Sequence, residues 1–244
     1  MTTPLEAHQA ALAHVHGTDF RSANLYRMVN DRLLEGSVLD VGCGSGGLVS
    51  WLLDQGRDAR GIDHSDATID TARAHLSLCG HDPARVSTED LAALVAQGHQ
   101  VDNVVSMDCL EHVADDRGFL SHMVRLVRPG GRLVITVPAL MAVFGPRDEA
   151  VGHHRRYHRG DLLDLVADEP LDLMEMRYWN LLGVPPAFLY AKVLKSQMNE
   201  SFRWGKPNLR KRLLRKGLHT WFAQVERRIV PPLGLTLLMV CTRR

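Results

Sequence analysis

The ten residues Val38-Leu39-Asp40-Val41-Gly42-Cys43-Gly44-Ser45-Gly46-Gly47 constrain this chain more than any other stretch. An aliphatic run ending in an acid reads as a strand, the glycines as a tight turn, and the apolar pattern over 48–53 as a helix. A turn without Cβ atoms lets a ligand lie against the backbone, where N–H groups of the helix N-terminus point outward. Gly42, Gly44 and Gly47 also fit G-x-G-x-x-G spacing, so the loop alone implies a nucleoside-containing cofactor without saying which.

Acids at successive strand ends narrow the choice. Asp40 lies inside the first strand, where a carboxylate receives an ammonium group or orients the loop through backbone N–H groups; a nicotinamide cofactor has little use for it. A second strand over 58–62 delivers Asp63 to a position that suits the two hydroxyls of a ribose. Asp90 in Ser87-Thr88-Glu89-Asp90-Leu91 is placed to accept from an adenine exocyclic amine. Together they suit a cationic, amine-bearing adenosine cofactor.

Four blocks then occur in a recognisable order: 38–47, Gly61-Ile62-Asp63, Val101-Asp102-Asn103-Val104-Val105-Ser106-Met107-Asp108-Cys109-Leu110-Glu111-His112-Val113, and Leu126-Val127-Arg128-Pro129-Gly130-Gly131-Arg132-Leu133-Val134-Ile135. With these the sequence resembles the class I S-adenosylmethionine-dependent methyltransferases over roughly 37–138. The block around Leu110-Glu111-His112-Val113 is similar to the branch holding ubiquinone-pathway O-methyltransferases and natural-product and glycan methyltransferases. The resemblance implies a Rossmann-like α/β sheet of seven strands, order 3-2-1-4-5-7-6 with the last strand antiparallel. It implies S-adenosylmethionine as cofactor, S-adenosylhomocysteine as product, and a cofactor site of Asp40, Gly42, Gly44, Gly46, Asp63, His64, Asp90, Leu91 and Met107. The implied organisation is an N-terminal helical lid over 1–35 and a methyltransferase domain over 36–244, with a substrate loop at 138–159 and a helical insertion at 181–230.

Pattern along the chain agrees with an alternating architecture. A helix is expected over 21–34, with Leu25, Met28, Val29 and Leu33 on one face. Strands near 38–42, 58–62, 85–88, 101–106 and 131–137 alternate with helices near 47–55, 66–79, 90–97 and 117–127, which predicts a parallel sheet covered on both faces. A helix near 160–168, a strand near 171–178 and a final apolar run at 233–241 follow. At 244 residues and 45% apolar content the chain can bury one substantial core, and a net charge of +1 provides no global field for nucleic acid. The first residues lack a secretory pattern, and Cys43, Cys79, Cys109 and Cys241 form no C-x-x-C pair, so a cytoplasmic enzyme is expected.

The loop Pro146-Arg147-Asp148-Glu149-Ala150-Val151-Gly152-His153-His154-Arg155-Arg156-Tyr157-His158-Arg159 follows the fifth strand and should line the ligand crevice. An Asp-x-x-x-Gly-His-x-Arg-Arg-Tyr pattern like this one occurs in a subgroup of the family. Tyr26, Arg147, His153, Arg155, Arg156 and Tyr157 are the candidate substrate residues. Adjacent guanidiniums suit a carboxylate, phosphate or phosphonate; equally, they can pair with Asp148, Glu149 and Asp161 to fix the loop. His112, His153 and His154 are candidate catalytic bases for a hydroxyl acceptor, while the structural alternative for His112 is a capping histidine. His154 and His158 stand four apart but lack a convincing third ligand, so no metal is assigned.

From 195 to 228 basic residues far outnumber Glu200 and Glu226, and Leu214, Leu218, Trp221, Val225 and Ile229 recur at helical spacing. The expectation is an apolar stripe packed on the domain with charges in water; a peripheral membrane contact or a homodimer through 195–230 is the competing reading. The function implied is methyl transfer to a small molecule, on oxygen of a hydroxyl, carboxylate or phosphonate in an anionic acceptor. N-methylation is the nearer alternative. A nicotinamide-dependent oxidoreductase, disfavoured by Asp40 and Asp90, and a nonenzymatic cofactor-binding module are the alternatives from other classes.

Overall fold

Alternate residues of the central strands face opposite layers, and this places two helical layers around one sheet. A computed structural model describes residues 19–196 and 209–244. Most of the expected N-terminal lid, 1–18, and part of the expected helical insertion, 197–208, lie outside the described residues. Strands β1 (Ser37–Val41), β2 (Asp58–Asp63), β3 (Val86–Thr88), β4 (Val101–Met107), β5 (Val127–Pro138), β6 (Leu171–Trp179) and β7 (Thr236–Arg243) form one sheet, ordered β3-β2-β1-β4-β5-β7-β6. β1, β2, β3, β4 and β5 pair in parallel, and β7 runs antiparallel to both β5 and β6. The expected order and orientation are therefore present.

On one face Leu39, Val104, Leu133, Ile135 and Met239 pack with residues of α4 (Leu91–Ala96), α5 (Asp116–Leu126) and α7 (Arg159–Val166). On the other, Val38, Val105, Val134 and Val240 meet α1 (Phe20–Asn30), α2 (Gly47–Asp54) and α3 (Asp66–Leu78). The period-two alternation along β1, β4 and β5 is what divides their side chains between the layers. Fully burying each such aliphatic side chain contributes about 1.5–3 kcal/mol. Helix starts follow the local chemistry: Asp19, Ser65, Asp90 and Asp115 each accept a hydrogen bond from a first-turn backbone N–H.

Two expectations need correction. The fifth strand begins at Val127, not near 131, because Val101 pairs with Val127 and Asn103 with Arg132, so Arg128-Pro129-Gly130-Gly131 is absorbed as an irregularity within the strand. The apolar stripe of the C-terminal helix is also interrupted. α9 (Leu209–Thr220) passes into a π-helical turn, Trp221–Glu226, which advances the buried face to Phe222 and Glu226 and leaves Leu214 and Ile229 exposed. Phe222 stacks on Phe20 of α1 and lies 4.8 Å, centroid to centroid, from Trp179. Between β6 and β7 the chain also forms α8 (Val184–Phe188) and a second π-helical turn, Leu189–Leu194. No helix among the described residues is long and apolar enough to cross a membrane.

Candidate active site

Parallel strands β1 and β4 lie side by side while their connections leave toward opposite sides, which opens a crevice at their carboxyl ends. The glycine loop forms one wall. Gly42, Gly44 and Gly46 have φ of +75°, +53° and +74°, values that L side chains resist. A Cβ on Gly42 would overlap Cys109 Sγ, so the absence of a side chain there lets the loop after β4 close against the loop after β1. Gly42 and Cys43 donate their N–H groups to Ile62 O at 2.9 and 3.0 Å.

Asp63 accepts from Gly44 N and Ser65 N, both at 3.1 Å, and His64 Nδ1 lies 3.3 Å from it. This acid thus tethers the glycine loop to β2 while standing at the predicted ribose position; the His64 side chain is largely exposed. Asp40 is buried, and its Oδ1 lacks a hydrogen-bond partner among the described residues. Burial first, and then repulsion from Asp63, pushes its carboxyl up to about 8. Such a group is primed to ionise when a cation arrives. Asp90 caps α4 through Ala93 N at 2.8 Å, Leu91 is buried beside it, and Met107 ends β4 half-buried.

Tyr26 projects from α1 into this region, with its ring 6.1 Å from Trp51. Burial, assisted by Asp40, raises its phenol well above the usual range. Arg21 of the same helix reaches Asp108 at 3.5 Å and Thr236 Oγ1 at 3.4 Å, which brings α1 against the strand ends.

The second wall comes from the short turn Leu110–His112 after β4 and from the loop carrying α6 (Pro146–Val151) after β5. His153 meets His112 edge to face, 4.7 Å between ring centroids. His153 Nδ1 lies 2.8 Å from Asp148 Oδ1, and its Nε2 lies 3.7 Å from Glu111 Oε1. Glu111 is wholly buried, and neither of its carboxylate oxygens has a hydrogen-bond partner among the described residues. Burial raises its carboxyl well above the carboxylate range, with Asp108 adding to the effect. His112 is lowered to about 4, chiefly by burial and then by His153, so its imidazole is neutral at physiological pH. Asp148 is held low by His153 and Arg156, against the opposing effect of burial.

Both adjacent arginines turn out to have internal partners. Arg155 pairs with Asp116 and donates to Ala114 O at 2.9 Å, while Arg156 donates to Asp148 at 2.9 Å and to Ala139 O at 3.1 Å. Tyr157 OH donates to Asp116 at 2.9 Å. These contacts favour loop fixation for Arg155, Arg156 and Tyr157 over the expected contact with an anionic substrate. Asp116 was not among the anticipated pairing partners. Arg147 lies in the first turn of α6. His154 is exposed, its N–H donating to Glu111 O at 2.9 Å, and His158 is the residue before α7, so those two imidazoles share no helix face. Sequence reasoning missed Glu111 as a site residue. Its signal was an acid in an otherwise apolar turn, directly before His112.

A seven-stranded sheet with a glycine loop and strand-end acids at its switch point defines a Rossmann-like nucleoside-cofactor domain. Residues 39–135 match a family profile described as a methyltransferase domain. Among curated relatives, the ubiquinone biosynthesis O-methyltransferase of Thiobacillus denitrificans is 43% identical over 96 residues, 38% of this chain and 40% of the relative. Its counterpart from Dinoroseobacter shibae is 33% identical over 121 residues, 49% and 45% of the two chains. The chain spans about half the length of the curated relatives it matches. In fold it is similar to geranyl diphosphate C-methyltransferase from Streptomyces coelicolor, with TM-score 0.59 at 16% identity over 91% of this chain and 79% of that one. It is also similar to a chain of the complex between the Haloferax volcanii Trm112 methyltransferase activator and a putative methyltransferase, with TM-score 0.62, 20% identity, and 98% and 93% coverage. Over residues 39–135 the chain is therefore similar to S-adenosylmethionine-dependent methyltransferases.

Proposed function

We propose that the protein transfers the methyl group of S-adenosylmethionine to an oxygen of a small molecule. The observation that carries this reading is Asp40, a buried carboxyl group near the end of β1 whose Oδ1 has no partner among the described residues, beside a loop that Asp63 holds in shape. An α-ammonium group supplies the missing charge, and the glycine turn leaves room for the rest of the cofactor. Asp63 receives the ribose hydroxyls; Asp90 and Leu91 border the adenine. Tyr26 and Arg21 on α1 close the amino-acid end.

The acceptor lies between the lid and the wall built from Glu111, His112 and His153. Displacement at a sulfonium carbon starts from an activated leaving group, so aligning oxygen, methyl and sulfur provides most of the rate; oriented reactions reach effective molarities of ~10⁵–10⁸ M. Nucleophilic oxygen and a polar wall that includes the neutral His112 imidazole fit one another, because a hydroxyl can lose its proton there. His154 is too exposed to share that role. Internal pairing of Arg155 and Arg156 weighs against an anionic acceptor held by those two side chains.

Calorimetric titration tests the reading. S-adenosylhomocysteine is expected to bind at one site per chain and NAD not at all; binding of NAD without S-adenosylhomocysteine would overturn it. Methyl transfer to oxygen is then checked on a panel of phenols, sugars, carboxylic acids and amines by mass increase of the product.

A further inference from the structure

We infer that Glu111, His112 and His153 form a site for one divalent transition-metal ion of the zinc class. Their ligating atoms all lie within 4.8 Å of one another, and His153 Nε2 and Glu111 Oε1 are 3.7 Å apart. Zinc–ligand bonds of about 2.0–2.1 Å put neighbouring tetrahedral ligands roughly 3.3 Å apart, so a few tenths of an ångström of side-chain movement closes that pair on an ion. The two nearest ligands in sequence come from the turn after β4, and the third comes from the loop after β5.

Three independent features point to a cation. Glu111 is completely buried, yet among the described residues neither carboxylate oxygen is hydrogen-bonded, an arrangement that is unfavourable unless a positive charge or a proton meets it. His153 is already held between two carboxylates: Asp148 Oδ1 lies 2.8 Å from its Nδ1 and Glu111 Oε1 lies 3.7 Å from its Nε2. Asp148 is in turn fixed by Arg156 at 2.9 Å and Gly145 N at 3.0 Å, the kind of outer support that metal-bound histidines have. The His112 ring is held by the Gly152 backbone. Nothing else among the described residues gathers three such ligands.

Two imidazoles and one carboxylate favour zinc, cobalt, iron or manganese over magnesium or calcium, which prefer an all-oxygen shell. Three protein ligands leave a coordination position open, as in catalytic rather than structural sites. Cys109, two residues before Glu111, stands against Gly42 of the glycine loop, so the turn that carries Glu111 and His112 borders the cofactor crevice. The chemical role of the ion rests on the methyl-transfer reading. An acceptor hydroxyl bound there releases its proton to water and presents an oxygen lone pair; that pair forms the new bond to the methyl carbon while the carbon–sulfur pair stays on sulfur. Ion binding itself does not depend on that reading.

The test strips the purified full-length chain with a chelator and titrates it with zinc and with cobalt, following heat and the visible absorption of bound cobalt. One equivalent is expected, with Glu111→Gln and His153→Ala each weakening binding at least about tenfold and His158→Ala, an exposed imidazole on the same loop, leaving it unchanged. Circular dichroism and S-adenosylhomocysteine binding confirm that the variants are folded. No uptake, or an equivalent bound equally by Glu111→Gln, meaning an adventitious ion only, would overturn the site. Intact S-adenosylhomocysteine binding without metal uptake rejects the metal alone, whereas metal uptake without S-adenosylhomocysteine binding rejects the methyltransferase reading alone.

Discussion

Cofactor binding should release a proton, and Asp40 sets the size of the effect. In the free protein its carboxyl is raised from 3.8 to about 8 by burial and by Asp63, so near neutrality it is mostly protonated. An ammonium placed against it stabilises the ionised form, and the proton leaves as the ligand binds. Affinity for S-adenosylhomocysteine should therefore rise about tenfold per pH unit from pH 6 to 7.5 and level off above 8. Titrations at pH 7 in two buffers of different ionisation enthalpy should report close to one proton released per ligand. Asp40→Asn should abolish both the release and the slope.

The same shift sets a stability term of known sign. An acid whose folded value exceeds its unfolded one loses stability as pH rises from the unfolded value toward the folded one. Across 3.8 to 7 that is 3.2 units at 1.36 kcal/mol each, a ceiling of about 4 kcal/mol, which water in the open crevice reduces. Asp40→Asn should therefore raise the melting temperature of the ligand-free protein at pH 7 while weakening ligand. Binding that is independent of pH, with no proton released, would refute the assignment of Asp40 to the ammonium.

Asp63→Ala should lower S-adenosylhomocysteine affinity about tenfold to a hundredfold by leaving ligand hydroxyls unpaired, and unchanged affinity in a folded variant would count against the ribose role. Gly42→Val should abolish binding and lower the melting temperature, since the position combines φ of +75° with contact to Cys109; a soluble variant that binds normally would reject the close-approach argument. Glu226 is buried and accepts from Asn180 N, Leu181 N and Trp221 Nε1, so Glu226→Ala should cost about 3 kcal/mol in denaturant unfolding.

Local patterns in the sequence determined the sheet and its glycine loop. Strands 1 to 4 and their helices appear close to the expected positions because period-two and period-3.6 burial, caps and glycine turns act within a few residues. The places of Asp40, next to last in β1, and of Asp63, last in β2, were legible for the same reason, and in a parallel sheet the carboxyl ends of strands border the crevice. The strand order came from family likeness, since pairing of β7 between β5 and β6 joins segments distant in sequence. Tertiary structure alone decided which charges neutralise one another. Asp116, in a helix about 40 residues upstream, takes Arg155, and Asp148, one of the anticipated partners, takes Arg156, so of the two readings open for this loop the structure favours internal fixation. The meeting of His153 with Glu111 and His112 likewise depends on two loops from neighbouring strands converging. No periodicity encodes such a convergence, because the energy of an ion pair or a ligand set depends on distances and burial that exist only after the chain has folded.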